Sequence, residues 1–321
     1  MSQQQTKPEV KGQVSDAVRG NWVDHWAPAL ARPYLRLSRA DRPIGTWLLL
    51  IPCWWGVLMG VLATDDASLN DLWIFVSCAL GAFLMRGAGC TWNDITDRKF
   101  DGAVERTRSR PIPSGQVSVA QAVVWMVIQA LCGALILFSY NWAAIQLGIL
   151  SLGLVMIYPF AKRFTWWPQV FLGLAFNWGA LLAYVAHTGA LDAVALSLYA
   201  AGIAWTLFYD TIYAHQDKED DAMIGVKSTA RLFGNTTRYW LIGFGVMSVG
   251  LVTVALLGAV GNRSTLSQII AFSALPAFGA HLVWQLRNLN INSPEVLLTL
   301  FRSNRDAGLI PVLFFAAAML L

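Results

Sequence analysis

Asn93, Asp97 and Asp101 stand at i, i+4 and i+8. On a helix this spacing stacks three oxygen-bearing side chains on one face at intervals of ~6 Å. Such a stripe suits a hard cation, because Mg2+ takes one or two carboxylates and completes its shell with water and substrate phosphates. Asp94 lies off the stripe; it takes a lesser place in the metal group or orients a ligand or water. A second acidic run carries Asp210, Asp217 and Asp221 at i, i+7 and i+11, with Tyr213 beside Asp217 on the same helical face. Cations follow each cluster at short range: Arg106, Arg108 and Arg110 after the first, Lys227 and Arg231 after the second. Carboxylates alone would hold a bare cation, whereas carboxylates ringed by Lys and Arg make a site for a metal polyphosphate. Acidic clusters are ordinarily solvated loop charges, but the helical spacing, the recurrence and the trailing cations favour a built site. Both faces are expected to converge on one Mg2+-diphosphate.

The elements that must position these groups are membrane spans. Of the 321 residues, 56% are hydrophobic and 13% charged, about half the ~25% charged share of soluble domains. A helix needs about 20 apolar residues to cross a bilayer, and nine stretches qualify as candidates: 44–63, 72–90, 117–138, 143–160, 168–186, 193–213, 239–261, 266–286 and 307–321. The last is short. Seven Lys and Arg precede the first stretch and five follow the second, whereas none follows the first, third or fifth. Basic residues stay on the cytoplasmic side, so the expectation is an all-α polytopic membrane protein with a cytoplasmic N-terminus and both acidic segments on that side. Residues 1–20 read as a disordered cytoplasmic tail and 21–321 as a single membrane domain. Within it, residues 21–42 read as an interfacial amphipathic helix with Trp22, Trp26, Leu30, Tyr34 and Leu37 at three- or four-residue spacing. Most of the arginines interspersed there, Arg32, Arg36, Arg39 and Arg42, are equally explained as a snorkelling collar, with Arg36 and Arg42 the two singled out as candidates.

Arg86 falls inside the second span, where an arginine costs ~2.5–3.5 kcal/mol on insertion scales and rarely faces lipid. It lies two helical turns before Asn93, on the acidic face, suited to a phosphate, a substrate carboxylate or a structural ion pair. Lys162 and Arg163 close the fourth span as similar candidates or as an ordinary positive-inside pair. His215 reads as a polar helix residue. Cys53, Cys78, Cys90 and Cys132 sit singly in apolar stretches and read as small hydrophobes. The net charge of +4 follows topology, so nucleic acid is not an expected partner. No Ser/His/Asp set, phosphate-cradling Gly loop or dinucleotide fingerprint is present.

Several stretches carry a resemblance: Asp41-Arg-Pro-Ile-Gly-Thr46, Arg86-Gly-Ala-Gly-Cys-Thr-Trp-Asn-Asp94 continuing to Asp101, and Arg110-Pro-Ile-Pro-Ser-Gly115. Tyr158-Pro-Phe-Ala-Lys-Arg163, Trp167-Pro-Gln169, Asp210 through Asp221 and Ile224-Gly-Val-Lys-Ser-Thr-Ala230 extend it. Together they resemble the UbiA family of intramembrane aromatic prenyltransferases, most closely the branch acting on 4-hydroxybenzoate. His215 and Gln216 depart from the apolar residues expected there in this branch.

The resemblance implies nine helices around a central membrane-embedded cavity, a polyprenyl diphosphate donor, a 4-hydroxybenzoate acceptor and a place early in ubiquinone biosynthesis. In that reading Asn93, Asp94, Asp97, Asp101, Asp217 and Asp221 hold Mg2+, and Arg106, Arg110 and Lys227 share the phosphate charge. Arg163 takes the acceptor carboxylate, with Arg42 or Arg86 able to do the same. Tyr213 is a candidate to face an allylic cation, and Asp210 a candidate to accept the ring proton. Other branches, making haem, menaquinone or chlorophyll side chains, are the alternative within the family. A secondary transporter is the rival outside it, but a transporter would place its charges near the midplane, and only Arg86 lies deep. A bacterial inner membrane is the expected location, a mitochondrial inner membrane the alternative.

Overall fold

The structure is a computed structural model and describes residues 17–18, 20–103, 107–223 and 225–321. The expected tail up to residue 16, Arg19, Arg106 and Ile224 lie outside the described residues. The described chain is helical: α1 (Trp22–His25), α2 (Arg32–Leu37), α3 (Ile44–Thr64), α4 (Leu69–Ala103), α5 (Val119–Leu137), α6 (Trp142–Phe164) and α7 (Pro168–Thr188). There follow α8 (Ala193–Ala214), α9 (Lys218–Met223), α10 (Thr229–Phe233), α11 (Thr237–Ala259), α12 (Thr265–Asn288) and α13 (Pro294–Met319). Eight spans among the described residues have the length and apolar character to cross a bilayer. Each overlaps one of the first eight expected stretches, but Leu69–Ala103, Ala193–Met223 and Thr229–Ala259 run ten or more residues past the expected bounds at one end. The ninth stretch lies in α13, which has 26 residues, or about 39 Å of rise, but carries Glu295, Arg302, Arg305 and Asp306 in its first half.

The spans turn their large side chains outward: Leu131, Leu135, Val246, Leu257 and Leu313 are each 61–72% exposed. Exposed apolar surface on that scale calls for lipid around it. α4 departs most from the sequence reading. It has 35 residues and runs unbroken through the first acidic motif to Ala103, because no Pro interrupts it and its Asn and Asp residues keep helical register.

Two compact units divide the chain. The first comprises the residues up to Gly45 with Leu84–Cys132. Its small core is Leu37, Ile95, Val117 and Ala122, flanked by Tyr34, Ile112 and Trp125. The amphipathic segment is two short helices rather than one, since Pro28 and Pro33 interrupt the hydrogen-bond ladder. Its polarity is inverted relative to a soluble surface. Trp26 and Leu30 are 86% and 90% exposed, while Arg36, Arg39 and Arg42 are buried, so these arginines do not snorkel. Arg110 through Gly115 forms a tight turn: Ser114 N–H donates to Arg110 O (3.0 Å) and Gly115 N–H to Ile112 O (3.1 Å). Gly115 takes φ +74°, a left-handed geometry that favours glycine.

The second unit, Thr46–Phe83 with Gly133–Leu321, packs around α8. Trp55 and Trp205 stack at 5.2 Å, and Phe278 meets Trp55 edge-on at 5.9 Å. Their indole N–H groups find acceptors on α13: Trp55 donates to Gly308 O (2.9 Å) and Trp205 to Asn304 Oδ1 (3.0 Å). At one end of this unit Asp71 Oδ1 lies 2.5 Å from His187 Nδ1, and His187 Nε2 lies 2.7 Å from Thr64 Oγ1, tying together the ends of α3, α4 and α7.

Candidate active site

In the first unit the acidic stripe of α4 sits in a nest of arginines. Asp94, Asp97 and Asp101 are buried and Asn93 is half-buried. Arg39 approaches Asp94 through both guanidinium nitrogens, Nη1 to Oδ2 at 2.9 Å and Nη2 to Oδ1 at 2.5 Å. Arg110 Nη1 donates to Asp101 Oδ2 at 2.8 Å and lies 3.6 Å from Asp94 Oδ1. Thr107 Oγ1 donates to the Asp101 carbonyl at 2.8 Å, fastening the loop that delivers Arg110. Arg42 Nε pairs with Asp41 Oδ1 at 3.2 Å, both groups buried. Burial pushes the Asp41 carboxyl up to about 6, against the pull of Arg39. The Asp94 carboxylate holds Arg39 charged despite a burial that opposes it. Arg86, half-buried, lays its guanidinium against the backbone of Gly45, where a Cβ would stand 2.3 Å from Nη2.

In the second unit the second acidic run is not one smooth helix. α8 ends at Ala214, a 3-10 turn spans His215–Asp217, and α9 resumes at Lys218. Three residues advancing ~120° instead of ~100° rotate Asp217 and Asp221 by about 60° from their ideal phase relative to Asp210. Asp217 and Asp221, four residues apart, still share a face. His215 is buried, and its Nε2 lies 2.9 Å from Thr237 Oγ1, anchoring the 3-10 turn to the start of α11. Tyr213 is half-buried and meets the Phe301 ring at 4.3 Å.

Lys227 and Arg231, the cations that trail the second run, are held by backbone carbonyls near it. Lys227 N–H donates to Lys162 O (3.0 Å) and Lys227 Nζ to Phe164 O (3.3 Å). Arg231 Nη1 donates to the carbonyls of Asp221 (3.3 Å) and Val226. Lys227 and Arg231 lie over the Trp166 ring at 5.8 and 5.3 Å, and the exposed Arg163 over Phe160 at 4.9 Å. Gln169 Oε1 accepts the Thr229 N–H at 3.1 Å, so the Trp-Pro-Gln step and the Lys227 loop are one piece of structure.

Among the described residues no three His, Cys, Asp or Glu side chains form a complete metal cage. Within each acidic segment the candidate ligands are oxygens too few to enclose an ion, which suits a hard ion that keeps waters and takes phosphate oxygens. Two buried donors, Arg110 Nε and Gln216 Nε2, have no hydrogen-bond partner among the described residues. Buried orphaned donors carry a desolvation penalty that an anion's oxygens relieve, and each stands beside an acidic segment. The residues therefore fit a metal-bound polyphosphate.

Residues 49–304, a stretch that contains both acidic segments, match the UbiA prenyltransferase family. The chain belongs to this family. It is 48% identical over 285 residues, 88% of this chain and 74% of the relative, to the mitochondrial 4-hydroxybenzoate polyprenyltransferase of Rattus norvegicus. The Bos taurus protein of that name is 50% identical over the same shares, and that of Arabidopsis thaliana 44% identical over 90% of this chain and 69% of the relative. The fold matches a UbiA homolog from Archaeoglobus fulgidus bound to GPP and Mg2+, with TM-score 0.64, 20% identity, and 90% and 100% of the two chains covered. A UbiA homolog from Aeropyrum pernix K1 matches with TM-score 0.63 and 22% identity, over 85% and 96% of the chains. The chain is thus a multi-pass membrane prenyltransferase.

Four further residues of this UbiA enzyme support the site and the core: Arg39, Gln129, Phe301 and Asn304. Arg39 was one cation among several in the entry segment, and only the folded chain pairs it with Asp94. Gln129 is a buried amide within α5, and a polar residue in an otherwise apolar span is a signal available from sequence. Phe301 and Asn304, on the helix with least recognisable sequence, back Tyr213 and Trp205.

Proposed function

We propose that this chain transfers a polyprenyl group from polyprenyl diphosphate to the ring carbon ortho to the hydroxyl of 4-hydroxybenzoate, an early step of ubiquinone biosynthesis. The observation that carries this is the 44–50% identity, over about nine-tenths of the chain, to proteins named for that reaction. The residue chemistry is consistent with it. Asn93, Asp97, Asp101, Asp217 and Asp221 would hold Mg2+, which when bound offsets the diphosphate charge and makes it a competent leaving group. Arg106, Arg110 and Lys227 neutralise the phosphate oxygens as the C1–O bond breaks and its electron pair stays on diphosphate. The allylic carbon so released bonds to the ring. Tyr213 is assigned to face that carbon's positive charge, and Asp210 to take the displaced ring proton. Arg163 holds the acceptor carboxylate, with Lys162 beside it, and Arg42 and Arg86 are the alternatives. Both acidic segments act on the cytoplasmic side. The relatives are named as mitochondrial proteins; a mitochondrial or a bacterial inner membrane is the proposed location, and cell fractionation decides between them.

The test is turnover in purified membranes, with mass spectrometry of the product from 4-hydroxybenzoate and donors of different length. Asp97→Ala and Asp217→Ala should each abolish Mg2+-dependent prenylation with expression intact. Unchanged turnover in either refutes the assignment of that segment.

A further inference from the structure

Asp94 is the most buried carboxylate of the first acidic segment, 0% exposed, yet it lies off the stripe formed by Asn93, Asp97 and Asp101. Both of its oxygens are engaged by the Arg39 fork, and Arg110 stands 3.6 Å from one of them while donating to Asp101 at 2.8 Å. Arg39 takes φ +57°, a left-handed conformation that non-glycine residues rarely hold unless their surroundings impose it. The neighbouring Ser38 supplies the second restraint. Trp125 Nε1 donates to Ser38 Oγ (2.9 Å), and Ser38 Oγ donates to Gln129 Oε1 (2.8 Å). That amide oxygen fits only because residue 87 is glycine, where a Cβ would stand 1.9 Å from it. The turn of residues 38–42, which carries Arg42, is therefore fastened at two levels: to α5 through Trp125 and Gln129, whose amide packs against Gly87, and to α4 at Asp94, two helical turns after Gly87.

We propose that Asp94 and Arg39 act as one positioning unit, in which Asp94 is not a metal ligand but sets Arg110 on Asp101 and fixes the Arg42 turn. This rests on the Mg2+-diphosphate reading above. A fork-to-fork pair gives directional restraint as well as charge balance, and Lys cannot reproduce it. A metal ligand must point an oxygen at the ion; both Asp94 oxygens point at guanidinium groups.

The experiment uses the full chain in detergent with Arg39→Lys, Asp94→Asn and the double variant. Mn2+ binding is followed by electron paramagnetic resonance with geranyl diphosphate present, alongside KM for Mg2+, kcat at saturating metal, and thermal melting. Each single variant should weaken Mn2+ binding and raise KM for Mg2+ by about tenfold, with kcat at saturation within about threefold of the parent. The double variant should be no worse than either single, since the two residues work as a unit. A large loss of Mn2+ affinity in Asp94→Asn with none in Arg39→Lys would make Asp94 a direct ligand and overturn the proposal. Lowered melting with unchanged Mn2+ affinity and KM would reduce the pair to scaffolding and also overturn it. Should Asp94→Asn fail to fold, Arg39→Lys decides, because it keeps the charge and loses only the fork. A parent protein that binds Mn2+ but forms no prenylated product would refute the reaction proposed, while the Mn2+ comparison would still judge the pair.

Discussion

Gly45→Ala separates geometry from stability at a single carbon atom. The added Cβ would stand 2.3, 2.5 and 2.6 Å from Nη2, Cζ and Nε of Arg86. An ordinary carbon contact lies near ~3.6 Å, so the guanidinium must retreat by about 1.3 Å. The retreating group is the end of a long side chain, and Ala is favoured over Gly within a helix by ~0.8–1 kcal/mol, so the fold should tolerate the change. Function should not. If Arg86 binds a substrate anion, losing one charge-assisted hydrogen bond costs ~1.5–3 kcal/mol, or about 10- to 150-fold in kcat/KM. Gly81→Ala on α4 is the control, because nothing lies within 4 Å of its Cβ. The assay is prenyl transfer with each substrate varied in turn, beside thermal melting. A Gly45→Ala enzyme with kcat/KM within about twofold of the parent for both substrates would refute a substrate role for Arg86. A fall in melting temperature tracking the loss of activity would reassign Gly45 to packing.

Asp41 predicts a pH dependence. Its carboxyl is pushed from 3.8 to about 6 in the folded chain, chiefly by burial. The folded state therefore binds this proton more tightly than the unfolded one, and the stabilisation is complete below 3.8 and lost as pH rises through 6. Melting of the parent should weaken across that window by a contribution of about 1–3 kcal/mol, and Asp41→Asn should flatten the slope; an unchanged slope counts against the shift. At the end of the second unit where Thr64, Asp71 and His187 meet, His187→Leu should strand Asp71 and cost about 1–3 kcal/mol of stability. KM for both substrates should stay unchanged, and a shifted KM would show that this latch reaches the chemistry.

Much of the molecule is legible in its sequence. Of the nine stretches expected from apolar length, eight correspond to helices able to cross a bilayer among the described residues, because lipid forces every backbone polar group into helical hydrogen bonds. The first acidic stripe kept its predicted face, since α4 continues through it. The second was less legible: the 3-10 turn at His215–Asp217 shifts the phase between Asp210 and Asp217, and no Gly or Pro marks it. His215 and Gln216 looked out of place as linear text, and folding explains His215, whose ring nitrogen meets Thr237.

Residue order thus carried what depends on near neighbours: the all-helical, multi-span character, helical faces, the cations trailing each acidic run, and the family motifs. The fold alone decided what depends on partners far apart in the chain. Arg39 and Asp94 are 55 residues apart, Ser38 and Gln129 91, and Trp205 and Asn304 99. A single sequence states that an arginine or an amide is present, but the energy of burying it is set by the group it meets. That is why Arg39 read as one more collar charge, and why its place beside Asp94 emerged only from the packed helices.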